Sequence, residues 1–498
     1  MSHESNGSTP GPEDLSLART RSADQYPNIV LPDRSLSRSA SQHHQPCSPS
    51  PQPPSAAPAG TAEAPANEKG TSSPTSKAED AHAYPEGGVR AWLVVLGSFA
   101  GMTSSFGYIN TVGIYHAYIS HHQLAAYSES TIGWIFSVFI FLTFACGLQI
   151  GPVFDRYGPF WLLLAGSVLL TLSCFLLSVS SAYWHFMLTL GVLGGVGASL
   201  IFTPSVSAIG HWFLAGRGNA TGIAAAGGSF GGIVFPLMLQ RLFDSVGWGW
   251  AIRVQAFLFI LLNGLAVLLV RSRLPPTPGS SILPDIKIFR FPRFALVTAG
   301  TYFMEWGLFV PVTYLTTYAL GSGAFTRPFA LQLIAIFNAG SCLGRWFPGY
   351  CGDRLGRYNS MVCALVLCMG ASLALWVPAT VLSAGGDPSP THQDAVYGIV
   401  VVYAVLMGFA SGSNISLTPV CVSMLCDIEE YGRYYATCYT VVSFGTLTGV
   451  PIAGALVQVC GGDYWGVGVF TALSYVGALS CFLAVRVMSV GWKIKAFF

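Results

Sequence analysis

The chain is short of charged residues. Asp, Glu, Lys and Arg make up 9% of its 498 residues, against about 25% in an ordinary soluble domain. The few charges are also unevenly placed, since 15 of them precede Tyr84. Lys occurs five times, and never inside a long apolar run. The part of the chain after Tyr84 is too poor in charge for a water-soluble surface, so a soluble globular fold is excluded.

Other absences narrow the function. The formal net charge is +2 and no basic stripe is present, which excludes nucleic acid as a partner. The 12 Cys residues lack the paired spacing of a zinc site or a disulfide framework. No Gly-x4-Gly-Lys-Ser/Thr phosphate loop occurs, which argues against ATP-driven pumping by this chain alone. We expect no catalytic residues, no metal and no cofactor. The polar N-terminus gives no sign of a cleavable signal peptide.

What is present falls into a tail and a long apolar region. Residues 1–84 are rich in Pro and Ser and nearly free of aromatic side chains, which predicts a disordered tail. The chain after it carries twelve apolar runs long enough to cross a hydrocarbon core of about 30 Å. The predicted spans are 91–113, 131–152, 159–179, 183–206, 218–239, 250–271, 294–318, 329–350, 358–382, 395–419, 436–459 and 464–489.

The longest polar connection between spans, residues 272–293, divides the apolar region into six spans on each side. The predicted fold class is therefore an all-α membrane protein of two six-helix halves, 85–271 and 294–498, joined by a linker. Lys and Arg are expected in cytosolic loops. If the tail is cytosolic, fourteen basic residues lie in inner connections and three in outer ones. Both termini and the linker are therefore expected in the cytosol.

One loop pattern occurs twice. Residues 151–158 and residues 349–356 both read G-x-x-x-D-R-x-G, after the second and the eighth predicted span. The two acids, Asp155 and Asp353, are 198 residues apart, as an internal duplication would leave them. With Arg156 and Arg354, this pattern resembles the signature loop of the major facilitator superfamily. The resemblance implies the fold of that superfamily, with the four charged residues as a latch on the cytoplasmic side.

Further motifs resemble the monocarboxylate porter family, most closely its fungal branch. Pro85-Glu86-Gly87-Gly88 precedes the first span in the manner of that family's acid-Gly-Gly motif. The segment from Gly195 to Gly227 and the run Gly307-Leu-Phe309-Val-Pro311 are also similar to it. The resemblance covers residues 85–498 and implies a secondary transporter.

Few ionisable side chains lie inside the predicted spans, and each of them is a candidate for transport because a charge in the bilayer is costly. Glu305 is eleven residues into its span, about 16 Å deep, and is a candidate for proton coupling and substrate contact. Arg345 matches, by resemblance, the arginine that pairs with a substrate carboxylate in monocarboxylate porters. A guanidinium suits that task because it binds a carboxylate with two hydrogen bonds. An arginine so near the end of its span also has the option of reaching the cytosolic face.

Two departures from the family weaken the case for a simple monocarboxylate as the substrate. The family's acidic residue one turn before the arginine falls on Ser341, and the lysine of its first helix falls on Asn110. Asn110, together with Tyr108, Asn338 and Phe309, is instead a candidate lining residue for a larger and less charged solute. The alternative role of each aromatic side chain is core packing or contact with lipid.

The expected function is secondary active transport of a small organic acid or an amphipathic metabolite, as an importer or as an efflux pump, with protons as a candidate coupling ion. The alternative is a non-transporting membrane sensor that signals through its tail. The expected partners are a small-molecule solute, protons and the lipid bilayer, and the oligomeric state is left open. The plasma membrane is the expected location, with the vacuolar membrane as the alternative.

Overall fold

The computed structural model describes residues 84–274, 286–384 and 390–492, and these ranges contain helices and no strand. The predicted tail, residues 1–84, lies outside them except for Tyr84. Residues 275–285 of the predicted linker lie outside them too. All contacts below are within Ala83–Phe498, which forms one compact unit.

The first half consists of eight helices. They are α1 (Val89–Ile109), α2 (Val112–His121), α3 (Glu129–Ala145), α4 (Gly147–Tyr157), α5 (Phe160–Leu177), α6 (Tyr183–Phe186), α7 (Gly195–Ile209) and α8 (Arg217–Leu269). A π-helical segment, Met187–Gly194, joins α6 to α7.

The described part of the second half contains seven helices. They are α9 (Pro292–Gly321), α10 (Arg327–Leu355), α11 (Arg357–Ala371), α12 (Val377–Ala384), α13 (Pro390–Val422), α14 (Tyr431–Val459) and α15 (Trp465–Val490). A π-helical segment, Ser372–Trp376, joins α11 to α12. Short 3-10 turns, Ile286–Arg290 and Ile428–Glu430, precede α9 and α14.

Ten helical stretches in the described ranges are long and apolar enough to cross a membrane. One of them, α8, has 53 residues, which at about 1.5 Å per residue is more than twice a hydrocarbon core. It is interrupted at Gly247, whose φ of 72° is open to glycine and breaks the helix into two arms. The predicted ten-residue connection in this region is thus helical apart from that glycine. The more polar α10 has 29 residues and is not among the ten. If the two arms of α8 are counted separately and α10 is added, the ten stretches become the twelve predicted segments. That all twelve cross the membrane stays a prediction.

The two halves pack along two seams. In one seam α8 lies against α10, and in the other α14 lies against α3 and α4. Within the described residues α1 and α9 do not form a packed pair across the halves. The contacts begin where the two Asp-Arg patterns lie, which we call the Asp-Arg end of the bundle. They extend at least to Asn338 in one seam and to Phe141 in the other, about 20 Å along each seam.

Candidate functional site

Each Asp of the repeated pattern sits in the last turn of a helix that ends on glycine. Asp155 lies near the end of α4, before Gly158 with φ of 78°, and Asp353 lies near the end of α10, before Gly356 with φ of 102°. Only glycine adopts these backbone angles at low cost. The chain therefore turns away directly after the acid and leaves the carboxylate pointing at the other half of the protein.

The two carboxylates cap helices of the opposite half. Asp353 accepts hydrogen bonds from the backbone N–H groups of Gly218 (2.9 Å) and Asn219 (2.7 Å), in the first turn of α8. Asp155 accepts hydrogen bonds from the N–H groups of Gly432 (3.0 Å) and Arg433 (2.9 Å), in the first turn of α14. The first N–H groups of a helix have no partner within it and carry partial positive charge, so a carboxylate is favoured there. The same device thus closes both seams.

The arginines of the pattern have other neighbours. The Arg354 guanidinium lies 4.4 Å from the centre of the Tyr350 ring, and that of Arg156 lies 5.2 Å from the Tyr157 ring. The charge nearest Asp353 is Arg357, whose Nε is 3.8 Å from the carboxylate. Between the halves, both acids are hydrogen-bonded to backbone N–H groups, and Asp155 also interacts with the charge of Arg433. The latch role of the four charged residues stays a prediction.

Small residues allow the seams to close. A Cβ added at Gly218 would lie 2.4 Å from the carbonyl oxygen of Gly349, and one added at Gly151 would lie 2.4 Å from that of Gly432. Both pairs of glycines join the two halves. Backbone therefore meets backbone directly at the Asp-Arg end of each seam.

Further along the α8–α10 seam, Arg345 reaches into the first half. Its Nη1 donates a hydrogen bond to the carbonyl oxygen of Ala225 (2.8 Å), and its guanidinium lies 5.5 Å from the centre of the Phe106 ring. The side chain is 5% exposed. The predicted alternative, in which Arg345 reaches the end of its helix, is not what this structure has. Its Nε remains without a hydrogen-bond partner among the described residues.

Two predicted site residues meet one turn further along the same seam. A Cβ added at Gly232 would be 2.7 Å from the Asn110 amide nitrogen and 2.7 Å from the Asn338 amide oxygen. Asn110 separates α1 from α2 and donates a hydrogen bond to the Gly228 carbonyl (3.2 Å). Asn110, Asn338 and Arg345 thus line one strip between the halves. Ser341 lies in the same strip, where its hydroxyl receives a hydrogen bond from Ser229 (3.1 Å).

Glu305 is fully buried in α9, and neither of its carboxyl oxygens has a hydrogen-bond partner among the described residues. Its charge interacts with that of Arg345, although the two side chains are not in direct contact in an ion pair. Tyr439, on α14, lies within electrostatic range of both Glu305 and Arg345. The hydroxyl of nearby Tyr435 is also buried, and no hydrogen-bond partner for it lies in the described part of the chain. A carboxyl, a guanidinium and phenol groups from α9, α10 and α14 therefore share one buried polar region.

The remaining predicted residues lie elsewhere. Tyr108 has its ring packed against Tyr115, Phe139 and Phe259, all in the first half. Phe309 is buried in α9, one turn beyond Glu305. The structure brings Tyr108 into the packed interior of its own half and not into the strip beside Arg345.

Sequence reasoning missed Tyr435 and Tyr439. The only signal for them was a tyrosine-rich start to a predicted helix, in the run Tyr431-Gly-Arg-Tyr-Tyr435 and then Tyr439. Aromatic residues at the ends of membrane helices usually face lipid headgroups. Their burial beside Glu305 depends on the way α14 packs, which the sequence does not reveal.

A helical membrane fold whose two halves meet along two seams, with buried charged side chains between them, is typical of a membrane transporter. The chain matches the Major Facilitator Superfamily over residues 92–390 and 349–493. It therefore belongs to the Major Facilitator Superfamily and is a multi-pass membrane transporter.

Named relatives agree with this assignment. The chain is 34% identical to the MFS transporter asaE of Aspergillus flavus over 83% of this chain and 90% of that one. It is 35% identical to the riboflavin transporter MCH5 of Saccharomyces cerevisiae, over 83% and 81% of the two chains. It is 34% identical to the fujikurins efflux protein of Gibberella fujikuroi, over 85% and 88%. These names favour the transporter over the sensor hypothesis.

A solved structure shows the same fold. The fucose:proton symporter of E. coli superposes with a TM-score of 0.59 and 12% sequence identity, covering 79% of this chain and 98% of that one. The fold class predicted from the sequence is therefore confirmed.

Proposed function

We propose that this transporter is a monocarboxylate-porter-like secondary transporter that exports an amphipathic, weakly acidic metabolite, with Glu305 as the proton-coupling group. The observation that carries the proposal is the placement of Glu305 and Arg345. The two side chains are buried, can carry opposite charges and are close enough to interact, yet each keeps polar atoms without a hydrogen-bond partner among the described residues. Such groups are costly inside a membrane protein unless they bind something during the transport cycle.

Glu305 suits a proton. An ionised carboxylate without a hydrogen-bond partner is unfavourable in an apolar interior, so a proton bound to Glu305 offsets that cost in the state seen here. A substrate anion that pairs with Arg345 changes the field at Glu305, because the positive charge nearby is then neutralised. Proton and substrate occupancy are thereby linked without direct contact between the two ligands.

Arg345 suits the acidic part of the substrate. Its unpaired Nε and the Phe106 ring beneath it offer a hydrogen-bond donor beside an apolar face. Asn110 and Asn338 add amide groups beside Gly232, one turn along α8 from Gly228, which faces Arg345. Asn110 stands where the family has the lysine of its first helix. A site with one cation, amides and aromatic rings favours a larger amphipathic solute over a short-chain acid. The relatives named for riboflavin and for fujikurins efflux are consistent with that choice.

The capped seams suit a gate. We define the Asp-Arg gate as the contacts of Asp155 with Gly432 and Arg433 and those of Asp353 with the first turn of α8. In a transporter that rocks its halves about a central site, one end closes while the other opens. We propose that this structure is the state closed at the Asp-Arg end. The excess of Lys and Arg in the connections at that end supports our proposal that it faces the cytosol, with the plasma membrane as the proposed location.

Comparing metabolites inside and outside cells with and without the chain would identify both the solute and the direction of transport. With that solute in vesicles, Glu305→Gln should abolish the dependence of flux on pH while expression stays unchanged. Asp244→Asn is the matched control, because Asp244 is exposed on α8 away from Arg345. A pH profile of Glu305→Gln that equals the wild type would refute the proton role.

A further inference from the structure

The turn between α7 and α8 carries one side of the Asp-Arg gate. The N–H groups of Leu214, Ala215 and Gly216 in the turn, and those of Gly218 and Asn219 in the first turn of α8, donate hydrogen bonds to two carboxylates of different origin. One carboxylate, Asp353, comes from the other half and must leave when the gate opens. The other is Glu86, which belongs to the same half as the turn.

Glu86 holds the first part of the turn. Its Oε1 accepts hydrogen bonds from the N–H groups of Leu214 (2.7 Å) and Ala215 (2.8 Å), and its Oε2 accepts one from Gly216 (3.0 Å). The N–H groups of Gly218 and Asn219, immediately after these, go to Asp353. Arg357 of the other half donates a hydrogen bond to the Leu214 carbonyl oxygen. The segment 214–219 is therefore hydrogen-bonded to Glu86 of its own half and to Asp353 and Arg357 of the other half.

The segment carrying Glu86 is itself fixed in an unusual backbone conformation. Glu86 has φ of 50°, which is unfavourable for a residue with a side chain, and it is followed by Gly87 and Gly88 with φ of 150° and 86°. Such a conformation persists only where surrounding contacts impose it. Just before it, the Tyr84 ring faces the guanidinium groups of Arg217 and Arg273 at 5.9 Å and 5.5 Å.

We infer that Glu86 is a positioning residue of the gate, which holds the α7–α8 turn in the shape that Asp353 needs in order to close this end of the transporter. Glu86 orients the N–H groups of residues 214–216. This also sets the direction of the N–H groups of Gly218 and Asn219, because the five residues belong to one continuous short stretch of backbone. When Asp353 leaves, Glu86 keeps the turn in the same shape. The N–H groups of Gly218 and Asn219 are then already oriented to bind Asp353 when the gate closes again. The inference rests on the proposed gate and adds a residue that does not itself cross between the halves.

Hydrogen–deuterium exchange of the purified full chain tests this without knowledge of the solute. Glu86→Gln should speed exchange at Leu214, Ala215 and Gly216, because the charge and one acceptor are lost. It should also speed exchange about tenfold at Gly218 and Asn219, since losing a capping side chain shifts a local equilibrium by about that factor. A tenfold change corresponds to about 1.4 kcal/mol. Glu86→Asp, whose shorter side chain spans less of the turn, should act in the same direction.

The control is Glu429→Gln, an exposed acid on the 3-10 turn before α14, which should leave exchange in the turn unchanged. Thermal unfolding of each variant establishes that the chain is folded. The inference is overturned if Glu86→Gln and Glu86→Asp speed exchange at residues 214–216 alone and leave Gly218 and Asn219 as in the wild type.

Asp353→Asn separates failure of the inference from failure of the gate. If the gate exists, Asp353→Asn speeds exchange at Gly218 and Asn219 while Glu86 keeps Leu214 to Gly216 protected. In the Asp353→Asn background, Glu86→Gln should add little at Gly218 and Asn219, because the contact it positions is already lost. Unchanged exchange in Asp353→Asn would refute the gate itself. Full additivity of the two substitutions would refute only the role of Glu86.

Discussion

Replacing Gly218 by Ala should hold the transporter open at the Asp-Arg end. The added Cβ would lie 2.4 Å from the Gly349 carbonyl oxygen and 2.8 Å from the Asp353 carboxylate, whereas ordinary contacts begin near 3.4 Å. The halves must therefore separate by about 1 Å at this point, and the Asp353 cap is displaced with them. Overpacking of this kind typically costs about 1–3 kcal/mol, which lowers the closed population about 5- to 150-fold.

Gly264→Ala is the matched control for this substitution. Both glycines lie in α8, so both replacements bring the same gain in helix propensity, but nothing lies within 4 Å of a Cβ at Gly264. Backbone exchange at Gly218, Asn219, Gly432 and Arg433 reports whether the seams are closed. It should rise in Gly218→Ala at both seams, because the halves move as units, and remain as in the wild type in Gly264→Ala. Wild-type exchange at Gly432 and Arg433 in Gly218→Ala would refute the idea that the two seams open together.

Two further predictions concern single side chains. Arg345→Lys should strongly reduce flux of an anionic solute in vesicles, because an ammonium cannot reproduce the planar geometry of the guanidinium; normal flux would mean that Arg345 is structural. Burial, with Arg217 and Arg273 nearby, lowers the pKa of His211 from its ordinary 6.5 to about 3. The folded state thus resists protonation of His211, so this contribution to stability is present above pH 6.5 and lost as the pH falls towards 3. In His211→Gln, the thermal unfolding temperature should therefore depend less on pH between pH 7 and 4 than in the wild type. An unchanged pH dependence would contradict this.

The sequence predicted the helical architecture because the bilayer imposes a simple rule. A membrane helix needs about 20 apolar residues in succession, and such runs are visible without knowledge of packing. Gly247 shows the limit of that rule: a connection was expected around it, but a single glycine with positive φ suffices to break α8. The repeated Asp-Arg pattern was also recognisable, since an internal duplication leaves matched residues at matched places.

The sequence alone determined that this chain is a membrane protein; it also predicted two related halves and pointed to Glu305 and Arg345 as ionisable residues inside spans. Composition and spacing suffice for that, because both follow from the cost of placing charge in lipid. Only the tertiary structure decided what the repeated acids contact. Asp155 and Asp353 each cap a helix more than 130 residues away in the other half, while Tyr108, a candidate by sequence, packs into its own half. Local patterns cannot assign these partners, because a carboxylate capping backbone N–H groups places no requirement on the side chains of the helix that it caps.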